Sequence, residues 1–155
     1  MKILTNTTPE VFFTEVKAAL MNNLMMVSYD IQEDVKDSFP LKGGGKKYVI
    51  NGKIHYASKP GQPPAVLSGR LRDSVTVRSN ISVKGVTKRD IAKGSMAKAS
   101  DIINKPRTKN TIDIGTRVPY SGLEKGIGNI SARPYIMPVY TNKVPKHIKN
   151  AIDSV

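Results

Sequence analysis

The chain has no cysteine and no tryptophan, only three Phe and two His, and twelve Asp and Glu among its 155 residues. Each shortage removes a class of explanation. Without Cys there are no disulfides and no thiolate metal ligands, which fits assembly in a cytosol. Two isolated histidines, His55 and His147, form no HxxxH pair, so no zinc-type site is expected. The few large aromatics leave burial to Ile, Val, Leu, Met and six Tyr, so the core is modest and association with neighbours is expected to add stability. No apolar run is long enough to span a bilayer. Met1-Lys2-Ile3-Leu4 lacks the apolar stretch of a signal peptide, so the expectation is a soluble protein made in a cytoplasm, without membrane partners.

What the chain has in excess is positive charge. Twenty-five Lys and Arg give a formal charge of +13, enough to attract a polyanion without naming it. Half of the acid lies between residues 9 and 39, as Glu10, Glu15, Asp30, Glu33, Asp34 and Asp37, against Lys17 and Lys36. That polarity has two readings: an acidic face of one copy meeting a basic face of the next, or an acidic helix packed on its own basic domain.

Thr7-Thr8-Pro9-Glu10 is a helix start, with a hydroxyl cap, an early Pro and a first-turn acid. Val16, Leu20, Leu24, Val27, Ile31 and Val35 then trace one face of an amphipathic helix about eight turns long. Met21, Met25 and Met26 flank that stripe as core or interface filler, and Pro40 with Gly43-Gly44-Gly45 reads as a flexible helix exit. Asn51-Gly52 predicts a two-residue type I′ hairpin between Lys46–Ile50 and Lys53–Ala57, with Val49 facing Ile54, Lys47 facing Tyr56 and Tyr48 facing His55. The hairpin is short and basic, which suits a peripheral projection.

Val75 and Val77 alternate with polar residues, as do Ile81 and Val83, predicting two antiparallel strands around Ser79-Asn80. Thr111 to Gly115 supplies a third strand, and Ile136 to Tyr140 suggests a fourth confined to an edge by Pro138. Residues 87 to 110 form a basic insertion containing Lys88, Arg89, Lys93 and Lys98, in which a short helix is conceivable but Gly94 and two serines argue for mobility. Ser121 to Lys125 is one helical turn at most. Val144 to Val155 reads as a short C-terminal helix docking on the sheet, with His147 on a solvated face among Lys146 and Lys149. The fold class expected is α+β in a single domain over residues 1–155: a long N-terminal helix on a small antiparallel sheet, with a projecting hairpin, a basic insertion and a short C-terminal helix.

Chemistry fares poorly on inspection. Asp30, Glu33, Asp34 and Asp37 put carboxylates on one helix face, yet no His or backbone-rich loop completes a cation site. Gly43-Gly44-Gly45-Lys46-Lys47 has Lys47 where a phosphate loop needs Ser or Thr. A nuclease would need acidic metal ligands or a general base near a scissile phosphate, and the sequence offers no such grouping. No enzymatic activity and no cofactor are expected.

Three punctuated motifs stand out. The first is a proline-stiffened strap, Ala57-Ser58-Lys59-Pro60-Gly61-Gln62-Pro63-Pro64-Ala65, leading to Ser68-Gly69-Arg70-Leu71-Arg72-Asp73-Ser74, where Ser68 is placed to cap a short helix. The second is Gly115-Thr116-Arg117-Val118-Pro119-Tyr120. The third, Ala132-Arg133-Pro134-Tyr135-Ile136-Met137-Pro138, reads as extended. In this order and at these separations the motifs resemble the neck, or minor tail-component, family of tailed bacteriophages, which complete the tail and join it to the head. After the Pro-Tyr motif the family commonly has an aromatic-acidic-Phe-Gly run, where this chain has Leu123-Glu124-Lys125-Gly126.

The resemblance implies a structural virion protein located in the neck or at the upper end of the tail and assembled in the host cytoplasm. It implies a homo-oligomeric ring around the DNA channel, contacting a head-completion or connector protein and a tail terminator or tail tube. Gly69, Arg70, Leu71, Gly115, Pro119, Tyr120, Arg133, Pro134 and Tyr135 would organise the fold or subunit contacts. Lys88, Arg89, Lys93 and Lys98 would face non-specifically bound genomic DNA or a neighbouring subunit. The rival reading is a basic, non-enzymatic nucleic-acid-binding module that combines lysines with stacking tyrosines.

Overall fold

The computed structural model describes residues 8–79, 96–101, 103 and 111–153. Helix α1 spans Pro9–Asp37 and begins as its sequence dictates, with the Thr8 hydroxyl accepting from the Val11 N–H and Pro9 in the first turn. It is followed by the hairpin β1 (Lys47–Ile50) and β2 (Lys53–Tyr56), whose register is the one the turn chemistry requires: Val49 opposite Ile54, Tyr48 opposite His55, Lys47 opposite Tyr56. Asn51 and Gly52 take φ of 51° and 74°, both in the left-handed region that a type I′ turn needs.

Helix α2 (Arg70–Ser74) leads into β3 (Thr76–Ser79), which pairs antiparallel with β4 (Ile112–Gly115), Val77 lying opposite Ile114. A 3₁₀ turn at Ala99–Asp101 precedes β4, and another at Ser121–Glu124 follows it. Helix α3 (Met137–Asp153) completes the described chain and packs along α1. The architecture is α+β, with a long N-terminal helix, two separate two-stranded antiparallel sheets and a C-terminal helix. No helix among the described residues is long and apolar enough to cross a membrane.

One buried cluster joins the three helices and the segments beside them. Val27, Ile31 and Val35 of α1 and the following Phe39 meet Leu71, Val75, Val118, Tyr135 and Val139. Full burial of such a side chain contributes about 1.5–3 kcal/mol. Gln32, itself buried in the α1 face, donates to the Val75 carbonyl at 2.7 Å, so the polar atom that enters the core is satisfied.

Several local expectations are corrected. The predicted strand at Ile136–Tyr140 is the first turn of α3, because Pro138 sits where a helix has no use for its missing N–H. The C-terminal helix is therefore longer than Val144–Val155 suggested, and it carries Pro145 in its interior. Helix α2 is capped by Gly69 with φ of 79°, and the Ser68 hydroxyl instead accepts from the Arg70 N–H at 3.3 Å. The apolar stripe of α1 is buried only in its second half: Val16 and Leu20 are about half exposed, whereas Met21 and Met25 are buried.

The triple glycine is a close approach, where a flexible exit was expected. Gly43 N–H donates to the Tyr56 carbonyl at 3.1 Å and Gly45 N–H to that of Ala57 at 2.7 Å, clamping the helix exit to the base of the hairpin. His147, expected on a solvated face, sits against α1 with Nε2 2.7 Å from the Asp34 carboxylate and Nδ1 3.7 Å from that of Asp30. Part of the α1 acid is thus met within the chain, by α3. The strand at Ile81–Lys84 and most of the 87–110 insertion lie outside the described residues.

Candidate functional site: a groove built by the three motifs

The three motifs, spread over residues 57 to 138, come together in space. Ala57, Ser58 and Pro64 of the strap, Gly69 to Arg72, Tyr120 of the second motif and Arg133 of the third line one open groove of about 430 Å³, floored by Phe39. Tyr48 and His55 of the hairpin close one side. The hairpin is therefore a wall of the groove as well as a projection.

Specific polar contacts make the convergence rigid. The Arg133 guanidinium donates from Nη1 to the Ser58 carbonyl and, at 2.9 Å, to the Ser58 hydroxyl, and Gly61 N–H donates to the Ala132 carbonyl at 2.9 Å, so the third motif is stitched to the strap at two points. Arg70 forms a two-pronged pair with Asp101, Nε to Oδ2 at 2.7 Å and Nη2 to Oδ1 at 2.6 Å. A planar fork of this kind is beyond a lysine. The Asp101 main-chain carbonyl accepts from the Arg117 N–H at 2.7 Å, and the Ser74 and Thr116 hydroxyls lie 2.6 Å apart, so the first and second motifs are tied through Asp101 and α2.

Asp101 is 2% exposed, and the Arg70 guanidinium beside it holds its carboxyl at about 2, below the ordinary 3.8, against the cost of burial. A folded-state value below the unfolded one means that the interaction's contribution is complete above about pH 4 and is lost as pH falls toward 2. Asp101→Asn should therefore be less stable than the parent at neutral pH, and the gap in urea midpoint should narrow steadily from pH 4 to pH 2. A gap that stays constant through that window would show that the Asp101 charge is not what stabilises.

Tyr135 is 1% exposed, its ring 5.1 Å from that of Phe39 between centroids, and its hydroxyl donates to the Ser121 carbonyl at 3.2 Å. Burial pushes its phenol well above the ordinary tyrosine value, so it acts as a neutral donor. Tyr120 is also raised by burial, an effect that the nearby Arg70 opposes.

Of the other residues singled out in the sequence, Leu71 is core, and Gly115 packs against Ile103, whose Cδ1 would stand 3.2 Å from an added Cβ. Pro119 is exposed and Pro134 half-buried. Lys88, Arg89 and Lys93 lie outside the described residues. Lys98 is exposed, and its main-chain N–H donates to Asp101 at 2.9 Å.

Two acids that the sequence reading passed over prove central. Asp101 is one of only two acids in the basic insertion, a rarity that was its one available signal. Glu124 accepts from the main-chain N–H groups of Tyr135, Ile136 and Met137 at 2.8, 3.0 and 2.9 Å, placing a carboxylate at the N-terminus of α3, where unpaired donors and the helix dipole favour it.

No group of three His, Cys, Asp or Glu placed to hold a metal occurs among the described residues. Each arginine that lines the groove has at least one donor engaged by the scaffold: Arg70 by Asp101, Arg72 by Asp73 and Arg133 by Ser58. Compared with family models, curated proteins and solved structures, the chain matches none.

Proposed function

We propose that this protein is a structural subunit of a phage neck, completing the tail and joining it to the head as a ring of identical copies around the DNA channel, without enzymatic activity. The observation that supports this reading is the convergence of the three motifs on one groove, with Arg70, Arg133 and Tyr135 each fixing one segment to another. Motifs that share a scaffold role explain their resemblance to a family of assembly proteins better than isolated turns would. The other members of the assembly are a head-completion or connector protein on one side and a tail terminator or tube on the other.

The charge of +13 and the exposed lysines of the hairpin favour a second reading, the basic nucleic-acid-binding module. A salt titration of binding to duplex DNA separates the two. A neck subunit that borders a channel binds the duplex weakly in isolation at physiological salt. Micromolar or tighter binding with a steep logarithmic salt slope would overturn the neck reading in favour of the module.

A further inference from the structure

The first half of α1 has an apolar face with nothing against it among the described residues. Phe12, Phe13, Val16 and Leu20 are 54%, 68%, 49% and 56% exposed, and the two Phe rings contact each other edge to face at 5.9 Å. This face continues the stripe that Val27 and Ile31 bury farther along the same helix. Half of one helical seam is thus sealed by the chain's own core and half is open. An exposed patch of this kind on an otherwise ordinary helix marks a contact surface.

The groove offers this face an apolar mouth and an arginine-bearing lining. Leu67, 57% exposed, and Ile130, 48% exposed, sit among the groove's lining residues, so its mouth is apolar. The groove's lining holds Arg70, Arg72 and Arg133 and no Asp or Glu, with Arg70 paired to Asp101 and Arg72 to Asp73 behind it. The open half of α1 carries Glu10 and Glu15 against Lys17. An aromatic helix face with a slight excess of acid is thus suited to an apolar cleft lined by arginine and by no acid.

The two surfaces cannot meet within one molecule. Phe39, at the groove floor, follows the C-terminal end of α1, and Phe13 lies some 24 residues up that rigid helix, about 36 Å away at 1.5 Å per residue. We propose that the Phe12–Leu20 segment of one copy seats in the groove of the next. Such a contact joins unlike surfaces, so it propagates head to tail and closes into a ring when the rotation per subunit permits. The proposal rests on the ring reading only in requiring that copies associate.

The absence of Cys makes a clean test available. The variants Phe13→Cys and Leu67→Cys alter two exposed side chains, and circular dichroism will confirm that each folds. Mixed in equal amounts and mildly oxidised, they should yield the Phe13→Cys to Leu67→Cys cross-link as the main product, and the double variant should yield a ladder of covalent multimers. Adding Glu10→Lys and Glu15→Lys should lower the cross-linked yield by roughly tenfold at low salt. Native mass spectrometry of the parent runs alongside. Multimers without the mixed cross-link, or with only Phe13→Cys to Phe13→Cys products, would overturn this contact and leave the ring reading standing. Monomers alone would overturn both.

Discussion

Tyr135→Ala is expected to destabilise the fold by about 3–5 kcal/mol, the range for removing a fully buried aromatic side chain. In a chain of this size that lowers the thermal midpoint by roughly 10 °C or more. The ring packs on Phe39 while the hydroxyl holds the Ser121 carbonyl, so truncation opens a cavity at the junction of the third motif, the 3₁₀ turn and α1. Tyr135→Phe keeps the ring and loses the hydrogen bond, for a cost of about 1 kcal/mol. Thermal unfolding of the two variants separates packing from polar anchoring. Equal effects would mean that the hydroxyl, and not the buried ring, is what the position supplies.

Gly43→Ala should be as damaging with the addition of a single carbon. A Cβ there would lie 2.1 Å from the Ala57 carbonyl oxygen and 2.5 Å from the Ser58 nitrogen, both of them main-chain atoms that no side-chain rotation can clear. The chain must separate from the hairpin base, breaking the Gly43 to Tyr56 and Gly45 to Ala57 hydrogen bonds, for a cost of about 3 kcal/mol. Gly44→Ala is the control, since its Cβ meets only the end of the Lys59 side chain at 3.6 Å, and it should change stability by less than about 0.5 kcal/mol. Amide chemical shifts across β1 and β2 should move in the first variant and stay in the second. Parity between the two would show that the glycine clamp is not what seats the hairpin.

The elements legible in the sequence were those set by local chemistry. Asn51-Gly52 admits only one compact hairpin register, and Thr8-Pro9-Glu10 starts a helix irrespective of what surrounds it. The misread elements depend on distant partners. Met137-Pro138 looks extended until the Glu124 carboxylate is brought against the main-chain N–H groups of residues 135 to 137, which makes a helix start there favourable. Gly43-Gly44-Gly45 signals freedom locally, and only the returning strand at Ala57 turns it into a steric requirement.

The candidate site followed the same division. Arg70, Arg133 and Tyr135 were visible as motif residues, but the motifs alone do not say what each side chain holds. Their partners, Asp101, Ser58 and Ser121, stand 31, 75 and 14 residues away along the chain. No periodicity links positions so distant. The stripe of α1 was legible as a stripe, while its division into a buried and an open half depends on how far the core extends.

Electron microscopy of the purified protein, at concentrations well above those of dilute solution assays, tests the central claim most directly. The account predicts closed rings of uniform diameter built from this chain alone, with a central opening wide enough for duplex DNA. A field of single compact particles at every concentration examined would contradict it.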